Sequence, residues 1–374
     1  MIGYINATLE GLTTIRASRA QTILKKEFDT HQDLYSSVVY MNIITMRAFG
    51  FYIEITCALY IAVITLTFLF FKTDTLAGKV GLAITQSFTL TSLLQSGIRQ
   101  WAELENQMTS TERVLEYENL TPEVATGQQL ETWPKNGTIE FKDVNLRYSG
   151  ETERVLKDLS FCVGSKQKVG IVGRTGAGKT SVISSLFRMY DYEGSILIDN
   201  VEIKSVAVKF LRSKISIIPQ DPILFSGTVR TNLDPYFECS DKILWDSLEE
   251  VEMKHFFKTL DSVITEGGTG LSVGERQLLC LARAVVQNNN ILVLDEATAN
   301  IDPQTDNFIQ RTIKRKFNNC TVITIAHRLY TIMDADLIIV MDAGKVVQLG
   351  SPKVLLEDKY NLFYNMVKES GIVL

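Results

Sequence analysis

The chain has 374 residues, 45% of them apolar, which is enough for two or three domains and a sizeable core. The net charge of -5 is mild and gives no support for nucleic-acid binding, which favours a basic patch or stripe. The five cysteines form no CxxC pair and have no histidine at ligand spacing. The sequence therefore predicts reduced thiols rather than disulfides or a zinc site.

The N-terminal part of the chain predicts a helix followed by a membrane span. Residues 1–41 mix polar and apolar side chains, which favours helix outside the hydrocarbon and excludes the apolar stretch of a signal peptide. Residues 50–71 read GFYIEITCALYIAVITLTFLFF, and as a helix they would extend about 33 Å, enough to cross a bilayer. Their one charge, Glu54, lies near one end and is predicted at the membrane interface.

A second, weaker uncharged run follows a short polar turn at residues 72–75. Residues 80–98 contain several serine, threonine and glutamine side chains, which favour close helix packing and leave a substrate-facing role open. We place this second span at about 77–98. Positive charges flank the two spans, so the turn between them is predicted outside and both flanks in the cytoplasm. Residues 1–117 are thus predicted to form an all-α, partial transmembrane domain of an integral, multi-pass protein.

The character of the sequence changes again after residue 117. Residues 118–137 are rich in proline, glycine and acidic side chains, which indicates a linker. From residue 138 to 374, short apolar strands alternate with amphipathic helices, which is typical of an α/β domain.

A glycine-rich loop follows the strand-like run 168–172. Residues 173–180, GRTGAGKT, match the phosphate-loop pattern G-x-x-x-x-G-K-[ST] in full and lack the glycine order of a dinucleotide fingerprint. Glycines let backbone N–H groups turn toward phosphate oxygens, and the following helix points its positive end at the same place. Lys179 adds a charge for the β- and γ-phosphates, and Thr180 adds a hydroxyl for Mg²⁺. The predicted nucleotide-binding residues here are Gly173, Arg174, Thr175, Gly176, Ala177, Gly178, Lys179, Thr180 and Ser181.

Two carboxylates end the apolar run 291–294. Asp295 is predicted to hold Mg²⁺, directly or through water, and Glu296 to polarise the attacking water as a general base. An isolated acidic pair at a strand end commonly faces solvent, but the phosphate loop in the same domain favours catalysis. The two motifs together predict a P-loop ATPase or GTPase.

Residues 271–277, LSVGERQ, resemble the LSGGQ signature of the ABC (ATP-binding cassette) ATPases. Ser272 and Gly274 stand at matching positions, whereas Val273 and Glu275 replace the consensus glycine and glutamine. The resemblance implies that these four residues contact a nucleotide bound by a second cassette.

Further motifs resemble the same family, in family order, over about 180 residues. His327, after the apolar run 321–325, resembles the switch histidine, and Gln220 in IPQD resembles the glutamine that contacts Mg²⁺ and water. Tyr148 resembles the aromatic residue that stacks on adenine, although core packing explains a single tyrosine nearly as well. Residues 299–302, ANID, match the D-loop.

This family resemblance implies a fold, ligands and site residues. The expected fold is a P-loop, RecA-like α/β nucleotide-binding domain with antiparallel β and helical subdomains, preceded by the partial transmembrane domain. The expected ligands are ATP and Mg²⁺. The implied catalytic residues are Lys179, Gln220, Glu296 and His327, and the implied Mg²⁺ contacts are Thr180, Gln220 and Asp295.

Several runs resemble subfamily C more narrowly, the group of multidrug-resistance-associated proteins, along the whole chain. They are residues 11–17 (GLTTIRA), Trp133-Pro134 before Gly137, the Ser-Val-Gly signature and residues 297–302 (ATANID). This group pairs an N-terminal cassette that lacks the catalytic glutamate with a C-terminal cassette that keeps it. Because Glu296 is present and the signature is altered, the chain resembles the C-terminal cassette with the last two spans.

The resemblance also implies partners and a location. In this family ATP lies between the phosphate loop of one cassette and the signature of the other, so an N-terminal half with the first cassette is expected as a partner. The other expected partners are the lipid bilayer and a small organic anion, conjugate or drug, without nucleic acid. The plasma membrane is the expected location, with the nucleotide-binding domain in the cytoplasm.

Three other functions remain open at this stage. A channel or nucleotide-gated regulator of the same subfamily would share every motif. A fragment that binds ATP without hydrolysing it would also fit, because the second signature is absent from the chain. A soluble ABC ATPase acting in DNA repair or translation is disfavoured by the two predicted spans.

Overall fold

The computed structural model of the protein describes residues 2–71, 77–120, 122–123, 127–148, 150, 153–295, 301–326 and 328–370. The chain divides into two units, residues 1–122 and 123–374. Several predictions lie outside the described residues. They concern the turn at 72–75, the general base Glu296, D-loop residues 299–300 and the switch histidine His327.

The N-terminal unit is helical almost throughout. Two short helices, α1 (Ile2–Glu10) and α2 (Leu12–Ala17), precede two long ones, α3 (Gln21–Phe70) and α4 (Ala77–Glu116). The hydroxyl of Tyr4 donates a hydrogen bond of 2.9 Å to the carbonyl oxygen of Leu24 and so ties α1 to α3. The two long helices pack against each other.

Of the helices in the described residues, one, α3, is long and apolar enough to cross a membrane. Its most apolar 18 residues have a mean hydropathy of 2.1, and only 6% of them are buried. This helix contains the first predicted span. The second predicted span lies in α4, which is 40 residues long but less apolar, and it stays a prediction.

The C-terminal unit begins with an antiparallel sheet whose described strands lie in the order β2-β1-β4-β5. These strands are β1 (Ile139–Leu146), β2 (Leu156–Val163), β4 (Tyr192–Ile198) and β5 (Val201–Glu202). Their inward side chains form a common core with α5 (Lys179–Leu186) and one face of the next sheet.

A larger sheet, with the order β12-β11-β3-β10-β9-β6 among the described residues, carries the predicted site. Five of its strands are parallel, and β12 is antiparallel at one edge. The parallel strands read as nearly unbroken apolar runs because helices cover both faces of such sheets. The strands are β3 (Lys168–Gly173), β6 (Ile215–Ile218), β9 (Ile291–Asp295), β10 (Thr321–Ile325), β11 (Leu337–Asp342) and β12 (Lys345–Gly350).

The other helices of this unit support the sheet or form a helical subdomain. A second core joins β6 and β9 to α7, α8, α9 and α10, and a third joins β11 to α11 and α12. The strands β7 (Gly227–Thr228) and β8 (Val263–Ile264) pair beside the helical subdomain. The helices are α6 (Val208–Ser213), α7 (Val229–Leu233), α8 (Asp241–Glu250), α9 (Val273–Gln287), α10 (Pro303–Lys316), α11 (Pro352–Glu357) and α12 (Leu362–Glu369). The expected fold class is confirmed, with its antiparallel β and helical subdomains.

The described part of the predicted linker makes specific contacts with the C-terminal unit. Gln128 pairs with Val206 in a parallel bridge. Trp133 is buried, and its indole N–H donates to the carbonyl oxygen of Ile198 at 2.9 Å. These contacts fix the chain immediately before β1.

Candidate functional site

The phosphate loop, Gln220 and Asp295 lie at or directly after the ends of neighbouring parallel strands. In the register of the sheet, Ile325 of β10 is paired with Ile171 of β3 on one side and with Asp295 of β9 on the other. On the far side of β9, Ile218 of β6 is paired with Leu294. The carboxyl ends of four strands therefore meet at one edge, which is where open α/β sheets bind ligands.

The phosphate loop joins β3 to α5 at this edge, and its backbone requires glycine at two positions. A β-carbon on Gly173 would lie 2.3 Å from the carbonyl oxygen of Met341. Gly178 has φ +95°, a conformation that side chains rarely adopt, and it caps the N-terminus of α5. The loop thus presents backbone N–H groups and a helix N-terminus at one place, an arrangement that suits phosphate.

The side chains of the phosphate loop are placed as phosphate binding requires. The ammonium group of Lys179 lies over the loop, 2.9 Å from the carbonyl oxygen of Gly173 and 3.3 Å from that of Arg174. Arg174, Thr175, Gly176 and Thr180 are exposed, Gly173 and Lys179 are half-buried, and Ala177, Gly178 and Ser181 are buried.

Tyr148 lies beside the first turn of the phosphate-loop helix. Its hydroxyl is 2.8 Å from the hydroxyl of Ser181, and its ring is half-buried. The structure therefore brings the predicted adenine-stacking residue to the predicted phosphate site, and adenine stacking itself stays a prediction.

The three predicted Mg²⁺ contacts are oxygen donors, the type that Mg²⁺ prefers. Asp295 ends β9 half-buried, and Thr180 is exposed in the first turn of α5. Gln220 is exposed, two residues after β6. A small number of oxygen donors from the protein suits Mg²⁺, because this ion usually keeps several waters and phosphate oxygens as its other ligands.

A buried amide that the sequence analysis did not single out supports the Gln220 loop. Gln277 of α9 is fully buried, and its side-chain N–H₂ donates to the carbonyl oxygen of Pro219 at 3.0 Å. Since α9 begins at the signature, this bond joins the signature helix to the loop that carries Gln220. In the sequence, the only indication of this supporting role was a polar residue on the apolar face of a helix.

The signature residues form the N-terminus of α9. The hydroxyl of Ser272 accepts the N–H of Glu275 at 3.2 Å, and the Glu275 carboxylate accepts the N–H of Ser272 at 2.6 Å. This reciprocal pair is a capping box, in which Glu275 takes part although it departs from the consensus. Val273 is exposed. Gly274 lies against α10, where an added β-carbon would be 3.1 Å from the side chain of Thr305.

A buried carboxylate fixes the chain beside the predicted switch histidine, and sequence reasoning missed it. Asp306 of α10 is 2% exposed and accepts hydrogen bonds from the hydroxyl of Tyr330 and, at 3.3 Å, from the guanidinium of Arg328. Burial raises the pKa of the Tyr330 hydroxyl, and the bond to Asp306 raises it further. On the other side, the N–H of Ala326 donates to the carbonyl oxygen of Ile171. Both neighbours of position 327 are therefore held, one by α10 and one by β3.

These features define a class of protein, a P-loop nucleotide-binding domain with antiparallel β and helical subdomains, joined to a helical unit with an apolar span. Comparison with known proteins gives the family. Residues 156–299 match the model of the ABC transporter family. The chain is 52% identical to the probable multidrug resistance-associated protein lethal(2)03659 of Drosophila melanogaster. It is 45% and 42% identical to ATP-binding cassette sub-family C members 4 and 2 of Homo sapiens. The chain therefore belongs to the ABC transporter family, in its subfamily C.

The coverage of these matches is unequal. They extend over 98–99% of this chain but over only 24–28% of the three relatives, so the chain spans about a quarter of their length. A solved bacterial Atm1-family ABC exporter with ATP bound has a TM-score of 0.82 and 26% identity, covering 99% of this chain and 66% of that one. The resemblance to a C-terminal segment of subfamily C is confirmed.

Proposed function

We propose that the chain binds and hydrolyses Mg²⁺-ATP as the catalytic half of an ABC exporter. One observation carries this proposal. The phosphate loop, Gln220 and Asp295 lie at or directly after the ends of neighbouring parallel strands, at one edge of one sheet. In the sequence, Glu296 comes directly after β9, and His327 comes two residues after β10. That edge belongs to a chain with relatives named as a multidrug resistance-associated protein and as ATP-binding cassette sub-family C members.

Each side chain at this edge has a role that its chemistry supports. The loop N–H groups and Lys179 bind the phosphates, and Tyr148 stacks on the adenine. Thr180, Gln220 and Asp295 hold Mg²⁺, which neutralises phosphate charge when bound. Glu296 takes a proton from the attacking water, and His327 stabilises the charge on the transferred phosphate.

A second cassette is the proposed partner. The signature residues Ser272, Val273, Gly274 and Glu275 lie at the N-terminus of α9, a place that suits an anion, and they would serve a nucleotide bound by that cassette. In return, the second cassette would supply a signature to the loop at Lys179. The greater length of the relatives supports this arrangement, since three quarters of each is unmatched by this chain.

We further propose that the helical unit lies in the plasma membrane, with the ATP-binding unit in the cytoplasm. The apolar helix α3 supports membrane insertion. The Drosophila relative is named for multidrug resistance, which supports drugs as substrates, and we propose organic anions, conjugates or drugs as the substrate class.

Binding and hydrolysis can be tested with two substitutions. Lys179→Ala should weaken Mg²⁺-ATP binding to the purified chain in nanodiscs, because the phosphates lose their charged partner. Glu296→Gln should leave binding nearly unchanged. When the chain is assembled with a second cassette, the same Glu296→Gln change should slow ATP turnover about 10²–10⁴-fold, the usual worth of a general base.

Unchanged ATP binding in Lys179→Ala would overturn the phosphate-loop assignment, and unchanged turnover in Glu296→Gln would overturn the role of that base. Export needs its own readout in the assembled transporter. ATP-dependent accumulation of an organic anion in inverted vesicles, lost in Lys179→Ala, would support a pump. Ion current without accumulation would support a channel instead.

A further inference from the structure

The chain turns directly after the phosphate-loop helix, and a second tyrosine, Tyr190, follows this turn and lies beside Tyr148. Arg188 takes a left-handed conformation with φ +51°, and the N–H of Met189 donates back to the carbonyl oxygen of Ser184 at 2.9 Å. The guanidinium of Arg188 donates to the carbonyl oxygen of Val206 at 2.7 Å. The backbone leading into Tyr190 is thus fixed to the helix that carries the phosphate loop.

Tyr190 meets Tyr148 edge to face. The ring centroids are 4.6 Å apart and the ring planes are 81° apart, a favourable geometry for two aromatic rings. Tyr190 is 43% exposed, so burial alone does not explain its position. Since the hydroxyl of Tyr148 is also 2.8 Å from that of Ser181, the Tyr148 side chain is held at its ring and at its tip.

Tyr148 needs such support because it lies outside regular structure. β1 ends at Leu146, and Tyr148 is two residues further on. A ring in a loop loses rotamer freedom when a base stacks on it, and that loss weakens binding. A ring that its neighbours already hold in place loses less rotamer freedom on binding.

We propose that Tyr190 is a positioning residue for nucleotide binding, which fixes the Tyr148 ring in the orientation that stacks on the base. The proposal rests on the proposed function, because it assumes that Tyr148 contacts the base. It assigns to Tyr190 a contribution to binding the base and none to binding the phosphates.

The test compares two ligands that share phosphates but differ in the base. Binding of Mg²⁺-ATP and of Mg²⁺-tripolyphosphate to the full chain in nanodiscs is measured by calorimetry. Tyr190→Ala should weaken ATP binding about threefold to tenfold and leave tripolyphosphate binding unchanged. Tyr190→Phe should restore ATP binding, because it keeps the ring. Met189→Ala, at the exposed neighbouring residue, is the matched control and should match the parent chain for both ligands.

Each other outcome contradicts a specific claim. Equal ATP binding in Tyr190→Ala and the parent would overturn the proposal. An equal loss for both ligands would mean that Tyr190 supports the fold of the site rather than the base, and would overturn it too. A Tyr190→Phe variant as weak as Tyr190→Ala would exclude ring packing as the cause. If the parent chain bound neither ligand, or if Lys179→Ala changed neither, the proposed function itself would fail.

Discussion

A single carboxylate organises the turn that leads into β1. Asp199 accepts N–H groups from Lys135 at 2.7 Å, Asn136 at 2.8 Å and Thr138 at 2.8 Å, and it also accepts the Thr138 hydroxyl at 2.9 Å. Partial burial of Asp199 opposes its ionisation, but the hydrogen bonds from Asn136 and Thr138 outweigh it and hold the pKa below its ordinary value. The turn is therefore stabilised by the charged form of one side chain.

This predicts a pH dependence of stability. A carboxylate with a lowered folded-state pKa stabilises the fold above its unfolded pKa, and the contribution disappears as pH falls through the folded pKa. Asp199→Asn should lower the melting temperature at pH 7 and should reduce the loss of stability between about pH 5 and pH 3. Thermal unfolding of the chain in detergent measures both, with the exposed Asp191→Asn as control. Parallel pH profiles for Asp199→Asn and the parent would contradict this role.

The positions of candidate site residues were predictable where a contiguous motif marks them, and unpredictable where only the fold brings the residues together. Lys179 and Thr180 belong to a contiguous loop motif after one predicted strand, and Asp295 directly follows another, so a local pattern was enough. The bond between Asp306 and Tyr330 joins residues 24 positions apart, across a helix end and a strand end. No local pattern in the sequence indicates such a pair, because it forms only when the first turn of α10 meets the segment after β10.

At the scale of elements, the start of the signature helix depends on a residue that departs from the family consensus. The Glu275 carboxylate completes the capping box with Ser272. Glu275→Gln should change stability little, because the amide oxygen can accept the same N–H. Glu275→Ala should lower the free energy of unfolding by about 1 kcal/mol, the usual worth of a cap. Chemical denaturation of both variants distinguishes the two, and equal losses would show that the charge, rather than the cap, matters.

The kinds of elements could be predicted from periodicity, but their extent and order could not. The sequence predicts an extramembrane helix at 1–41 and a span at 50–71, whereas α3 runs unbroken from Gln21 to Phe70. A change of polarity along the sequence shows where the surroundings of the chain change between water and lipid. A helix can continue through such a change. The order of the strands in the larger sheet could likewise not be predicted from the sequence, because β10 lies between β3 and β9 although it follows both in the chain.

The sequence as a whole divides into a part that suits lipid and a part with a conventional core. The C-terminal unit buries its large apolar side chains in three clusters among the described residues. In α3, by contrast, Leu59 and Val63 are each 62% exposed. Apolar exposure of this extent along one helix is stable only when lipid or another protein surface covers it.

Arginine substitutions in α3 test whether this helix is inserted in the membrane. Replacing Leu59 and Val63 with arginine should cost about 2.5–3.5 kcal/mol per residue at the centre of a span and so should lower the fraction of chain retained in the membrane, although the second predicted span still contributes. Leu34 and Val38 are the matched control, because they have the same spacing in the same helix and are 66% and 61% exposed. Their replacement with arginine should leave the chain in the membrane, since they lie outside the predicted span. Membranes from cells that express each variant are extracted with alkali and floated. The fraction of the chain that stays with the membranes is then measured. Equal retention of the two double variants would contradict a span at residues 50–71 and would indicate that protein, rather than lipid, covers this part of α3.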